Sequence, residues 1–121
     1  MPDRILLLED DAAIQALVPR LLAEAGYAVD VLADPVAAPE LIRNGRYALV
    51  ITNSVMEWPR GAELVARMRR ECPGLPLLHL DDQSHPISPD FPSDVPRLTK
   101  PFRLDALLER VETLLSQRVT G

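Results

Sequence analysis

The chain has 121 residues, of which 47% are hydrophobic and 26% are charged, and its formal net charge is −5. This length and composition fit one compact domain, expected to span residues 1–121 with its core in 1–119. The acidic balance disfavours nucleic acid and anionic membrane surfaces as direct partners, because both attract basic faces. The single cysteine, Cys72, excludes an internal disulfide and a multi-cysteine metal cage.

The first quarter of the sequence predicts a buried strand followed by a helix. Residues 5–8 are apolar throughout, as parallel strands covered on both faces tend to be, and they lead directly into the acidic run 9–11. The apolar stripe of residues 14–25 predicts a helix that contains Pro19 and ends at Gly26. The apolar start is too short for a signal peptide or a membrane span, which predicts a cytoplasmic protein.

The same alternation continues through the middle of the chain. Residues 28–32 predict a second strand, and Asp34 followed by Pro35 predicts a second helix with an irregular first turn. A third strand, a third helix and a fourth strand are then predicted at residues 47–52, 62–71 and 76–80. His79 lies within the fourth strand, where we expect a hydrogen-bonded core histidine.

Residues 81–96 interrupt this regularity because they carry the prolines Pro86, Pro89, Pro92 and Pro96. Proline at every third or fourth position prevents an α-helix, so this segment is predicted to be a loop. Residues 97–99 predict a short edge strand, and the stripe in 104–115 predicts the last helix. The whole pattern indicates one parallel sheet with right-handed crossovers and helices on both faces.

Four features in a fixed order resemble a known family. They are the acidic run after the first strand, Thr52-Asn53 at the end of the third, Gly61 eight residues after Asn53, and residues 98–102, reading LTKPF, before the last helix. Together they resemble the receiver domain of two-component response regulators, the CheY-like family. The resemblance implies a flavodoxin-like, doubly wound, five-stranded parallel sheet of order 2-1-3-4-5, here with the fourth helix replaced by the proline-rich loop.

The resemblance also implies a phosphotransfer site. In this family an aspartate after the third strand accepts a phosphoryl group, an acidic pair and a backbone carbonyl hold Mg²⁺, and a lysine offsets phosphoryl charge. The metal-binding positions correspond to Glu9, Asp10 and the carbonyl of Val55, the lysine to Lys100, and the acceptor to Asn53. Because a carboxamide is a poor nucleophile, we expect no acyl phosphate at Asn53, weak Mg²⁺ binding if any, and no other cofactor.

Two other switch positions depart from the family, since Asp81 replaces the usual hydroxyl and Arg97 the usual aromatic residue. We expect Asp81 and Lys100 to form an ion pair, with Asn53 hydrogen-bonded to one of them. The sequence therefore predicts a phosphorylation-independent pseudo-receiver rather than an enzyme. It would act through a protein partner, namely a histidine kinase, an output domain or another regulator. The domain itself would be either free-standing or part of a larger regulator or hybrid kinase.

Two alternative functions stay open at the level of sequence. An active receiver phosphorylated on Asp10 or Asp81 is the first, and a phosphotransfer assay distinguishes it. A small phosphatase or flavodoxin-like cofactor protein is the second, but no glycine-rich phosphate loop or nucleophile-base pair supports it. Separately, association is expected to use the last helix, residues 104–115, and a homodimer through that face is one form it could take.

Overall fold

The computed structural model describes residues 3–53, 61–82 and 91–120. Five parallel strands form one sheet in the order β2-β1-β3-β4-β5, which confirms the predicted fold class and strand order. The strands are β1 Arg4–Leu8, β2 Ala28–Leu32, β3 Leu49–Asn53, β4 Leu77–Asp82 and β5 Arg97–Lys100.

The helices are α1 Ala12–Glu24, α2 Ala38–Asn44, α3 Gly61–Glu71 and α4 Leu104–Thr120. Gly26 follows α1 with a φ of 100°, a left-handed conformation that favours glycine, as the end of the stripe predicted. Asp34 caps a short 3₁₀ turn, Pro35–Ala37, before α2, so the second helix does begin irregularly. Within the described ranges, no helix has the length and apolar character required to cross a membrane.

Side chains of the sheet alternate between two hydrophobic cores, one on each face. The α1 face is covered by α1 and α4, and its strand residues include Ile5, Leu7, Leu49, Ile51, Leu78 and Leu80. The α3 face is covered by α2 and α3, and its strand residues include Leu6, Leu8, Val50 and Leu77. This alternation also decides where the polar side chains at the strand ends point.

The segment predicted as a loop at residues 81–96 differs from the prediction at its first end and agrees with it at its last. β4 continues to Asp82, because Asp81 pairs with Thr99 and Asp82 with Lys100 of β5. Residues 83–90 lie outside the described residues. Residues 91–96 form bends and turns without a helix, as predicted, yet Phe91 and Val95 are buried in the core. The prolines indicated the lack of helix, but they gave no sign of these anchors.

Candidate functional site

Three polar side chains converge at the carboxyl ends of β1, β3 and β5. Glu9, Asn53 and Lys100 each stand two residues after a side chain that packs on the α1 face, namely Leu7, Ile51 and Leu98. Side chains two residues apart share a face of a strand, so all three polar groups are directed to the same side. The carboxyl edge of an open parallel sheet is where ligands usually bind, which makes this cluster the candidate site.

Glu9 is the centre of the cluster, and its side chain is fully buried. Its Oε1 accepts hydrogen bonds from the backbone N–H groups of Asp10 and Asp11, each at 3.1 Å, and from Asn53 Nδ2 at 2.7 Å. Its Oε2 forms an ion pair with Lys100 Nζ at 3.2 Å. A buried carboxylate is tolerated only when it is paired and hydrogen-bonded, and here both conditions hold.

Asn53 connects the two acidic residues that follow β1. Its Nδ2 donates to Asp10 Oδ1 at 3.2 Å as well as to Glu9, and its side chain is buried. Carboxylates only accept hydrogen bonds, so the amide must present its NH₂ group, which has two donors, to this pair. The structure therefore brings Glu9, Asp10, Asn53 and Lys100 together at one edge of the sheet.

The predicted ion pair between Asp81 and Lys100 is wrong, because the partner of Lys100 among the described residues is Glu9. Asp81 directly follows Leu80, whose side chain lies on the α1 face. Alternation along the strand consequently directs Asp81 to the α3 face, away from Lys100. Asn53 Nδ2 donates to Glu9 and Asp10, which are not the partners expected from the sequence.

Two residues near the site have structural roles that the sequence prediction missed. Asp11 is the N-cap of α1, because its Oδ1 accepts from the N–H groups of Ala13 at 2.9 Å and Ile14 at 3.2 Å. Gln15 donates from Nε2 to the backbone oxygen of Glu9 at 2.5 Å. An aspartate directly before an apolar helical stripe is an N-cap signal, so Asp11 was identifiable from sequence. Its membership of the acidic run obscured that role.

Asp11→Ala should lower the free energy of unfolding by about 1 kcal/mol, because it removes the acceptor for two N–H groups at the start of α1. Asp11→Asn keeps an acceptor oxygen and serves as the matched control, with a smaller expected loss. Urea titrations of both variants measure the difference. Equal losses for the two variants would contradict the capping role.

The other predicted site residues are distributed around this cluster. Arg97 is exposed at the start of β5, far along the strand from Lys100, and its backbone oxygen accepts from Arg110. His79 is fully buried as predicted, but neither ring nitrogen has a hydrogen-bond partner among the described residues, so the expected hydrogen-bonded histidine is not observed there. Its ring packs instead against Phe91, with the centroids 4.5 Å apart. Val55 lies outside the described residues.

Comparison with known proteins establishes the family. The model of the response regulator receiver domain matches residues 5–87. The chain belongs to this family. The receiver domain is 35% identical over 118 residues to response regulator MprA of a Mycobacterium species, covering 95% of this chain and 51% of that protein. It is 37% identical over 117 residues to regulatory protein VanRB of Enterococcus faecalis, covering 95% of this chain and 53% of that protein.

The same fold occurs in a solved CheY-like receiver domain protein from Methanospirillum hungatei. The two chains superimpose with a TM-score of 0.87 at 21% identity, covering 99% of the receiver domain described here and 98% of the other chain. At this identity the likeness shows the fold alone. The receiver domain spans about half the length of the curated relatives it matches, 51% of MprA and 53% of VanRB.

An oxygen that already accepts a hydrogen bond or an ion pair is less available to the family's Mg²⁺, and three carboxylate oxygens of Glu9 and Asp10 are engaged in this way. The carboxylates of Glu9 and Asp10 are both bonded to the NH₂ group of Asn53, and Lys100 holds the second oxygen of Glu9. Within residues 3–53, 61–82 and 91–120, no three His, Cys, Asp or Glu side chains are grouped to hold a metal. The carboxylates of Glu9 and Asp10 therefore fit the amide of Asn53 and the ammonium of Lys100 better than they fit a divalent cation.

Proposed function

We propose that this receiver domain signals without phosphorylation of residue 53, as a protein-protein interaction module of a cytoplasmic two-component pathway. The observation that carries the proposal is the buried carboxamide of Asn53 at the end of β3. Its nitrogen lone pair is delocalised and its N–H groups are engaged by Glu9 and Asp10. Such a group cannot attack phosphorus as a carboxylate does.

The neighbouring groups support the same proposal. Lys100, whose family role is to offset phosphoryl charge, is already paired with the buried carboxylate of Glu9. Asp81 stands where the family has a hydroxyl, and because its side chain is directed to the α3 face, this position offers no hydroxyl to a phosphoryl group at residue 53. The pairing of Lys100 with Glu9 and the loss of the hydroxyl at residue 81 both disfavour phosphorylation, so the proposal does not depend on Asn53 alone.

The partner is part of this proposal and is inferred from the family. A histidine kinase, an output domain or another regulator are the candidates, because receiver domains act by binding such proteins. MprA and VanRB are named as regulators, and this receiver domain corresponds to about half of each. A pull-down from the native cell extract with the purified domain as bait would identify which candidate binds.

The direct test is incubation of the purified domain with acetyl phosphate or phosphoramidate and Mg²⁺, followed by intact-mass measurement. We expect no mass change, while an ordinary receiver domain with its aspartate present gains one phosphoryl group under the same conditions. A stable gain of one phosphoryl group would overturn the proposal. Asp10→Asn and Asp81→Asn variants would then show whether either alternative carboxylate had accepted it.

A further inference from the structure

The side-chain nitrogen of Asn53 contacts two carboxylates at once, as a cation bound between them would. One nitrogen atom lies 2.7 Å from Glu9 Oε1 and 3.2 Å from Asp10 Oδ1. It thus links the two carboxylates that the family uses to hold a metal. Both are donor-to-oxygen contacts of ordinary hydrogen-bond length, and the Asn53 side chain is buried.

We propose that the Asn53 amide is a built-in replacement for the divalent cation, so that this acidic cleft is held in one arrangement without metal. Lys100 completes the replacement by supplying the positive charge. Asn53 contributes donors without charge, and Lys100 contributes one positive charge to the buried Glu9. The inference concerns metal rather than phosphate, so it goes beyond the proposed function and can fail independently of it.

Competition follows from this geometry. A divalent cation between Glu9 and Asp10 would need the oxygens that Asn53 Nδ2 occupies, and it would also approach the Lys100 ammonium at 3.2 Å from Glu9. Displacing the amide breaks both of these hydrogen bonds of its buried nitrogen, and repulsion between the cation and the ammonium adds to that cost. Metal entry is therefore opposed by contacts that the folded protein has already made.

Asn53→Asp should reverse this behaviour. The substitution removes the donor that links Glu9 and Asp10 and puts a third carboxylate beside them, with Lys100 as the neighbouring cation. Like charges within hydrogen-bond distance repel, so the variant should be less stable than the wild type without metal. A divalent cation would relieve this repulsion, and the variant should become metal-dependent.

Thermal unfolding with MgCl₂, against NaCl at equal ionic strength, tests the inference in the wild type and in Asn53→Asp. We expect the wild-type Tm not to respond specifically to Mg²⁺, and that of Asn53→Asp to fall by several degrees and to be restored by Mg²⁺. Asn44→Asp is the matched control, because it makes the same chemical change at an exposed position in α2. It should show no specific response to Mg²⁺.

Calorimetric titration of the wild type with Mg²⁺ keeps the inference falsifiable if Asn53→Asp does not fold. We expect wild-type affinity weaker than millimolar and, for folded Asn53→Asp, at least about tenfold tighter binding. Submillimolar binding to the wild type, or equal affinities in the two proteins, would overturn the inference. Neither result would affect the acetyl phosphate experiment, which reports on residue 53 as an acceptor.

Discussion

Lys100→Met should lower the free energy of unfolding by about 3 kcal/mol, because it leaves the fully buried carboxylate of Glu9 without its cation. Removing one member of a buried pair typically costs about 3 to 5 kcal/mol, and the side chain of Lys100 is still 17% exposed. Water can therefore reach part of the site, which favours the lower end of that range. Methionine retains the apolar stem, so the loss reports mainly on the charge.

A double-mutant cycle with Glu9→Gln separates the pair from other effects of the substitution. Lys100→Met combined with Glu9→Gln should recover part of the loss, giving a coupling energy of about 1 to 3 kcal/mol in urea titrations. Asp81→Asn is the control, since Asp81 points to the other face of the sheet and should combine additively with Lys100→Met. If Lys100→Met coupled to Asp81→Asn and were additive with Glu9→Gln, the ion pair would be the one predicted from the sequence, between Asp81 and Lys100.

The fold could be predicted from sequence because each element had a local signal. Apolar runs marked the strands, and Asp34 and Gly26 marked helix boundaries that the structure confirms. Strand ends were less predictable, since β4 extends to Asp82 through pairing with Lys100 of β5. That pairing joins residues distant in sequence, so no pattern within residues 76–82 could indicate it.

The sequence indicated that Glu9, Asn53 and Lys100 would lie together, but it did not indicate which side chains they would contact. The end of each strand indicated that Glu9, Asn53 and Lys100 would meet, because carboxyl ends of parallel strands share an edge. The predicted pair of Asp81 and Lys100 rested on their shared edge of the sheet. Side chains also alternate between the two faces of the sheet, and that alternation separates the two residues. The structure shows Leu80 on the α1 face, so alternation directs Asp81 to the other face.

The largest pH effect is expected from His79 and should appear as a loss of stability in mild acid. Its imidazole is fully buried, neither nitrogen has a hydrogen-bond partner among the described residues, and its ring packs on Phe91 at 31° between planes. Burial lowers the pKa of His79 to about 4 from its ordinary value of 6.5. The negative charge of Asp81 opposes that shift, and the positive charges of Arg97 and Lys100 reinforce it.

The direction of the effect follows from linkage. Because the folded state disfavours the charged imidazole, the contribution of His79 to stability is complete above pH 6.5 and is lost as the pH falls towards 4. The expected loss is about 2 to 3 kcal/mol. Asp30, Asp94 and Asp105 have pKa values lowered from 3.8 by hydrogen bonds to Tyr47, Arg69 and Arg103, so their contributions are lost at lower pH.

Urea titrations at several pH values between 7 and 4 should therefore show the free energy of unfolding falling in the wild type and much less in His79→Leu. Leucine fills a similar apolar position beside Phe91 and cannot ionise, so only the proton-linked part of the difference varies with pH. NMR titration of the imidazole supplies a direct reading, with the ring of the folded protein staying neutral through pH 5. If the wild type and His79→Leu lost equal stability over this range, His79 would have to ionise in the folded protein as readily as in the unfolded chain. That result would contradict the lowered pKa and the buried position of its ring.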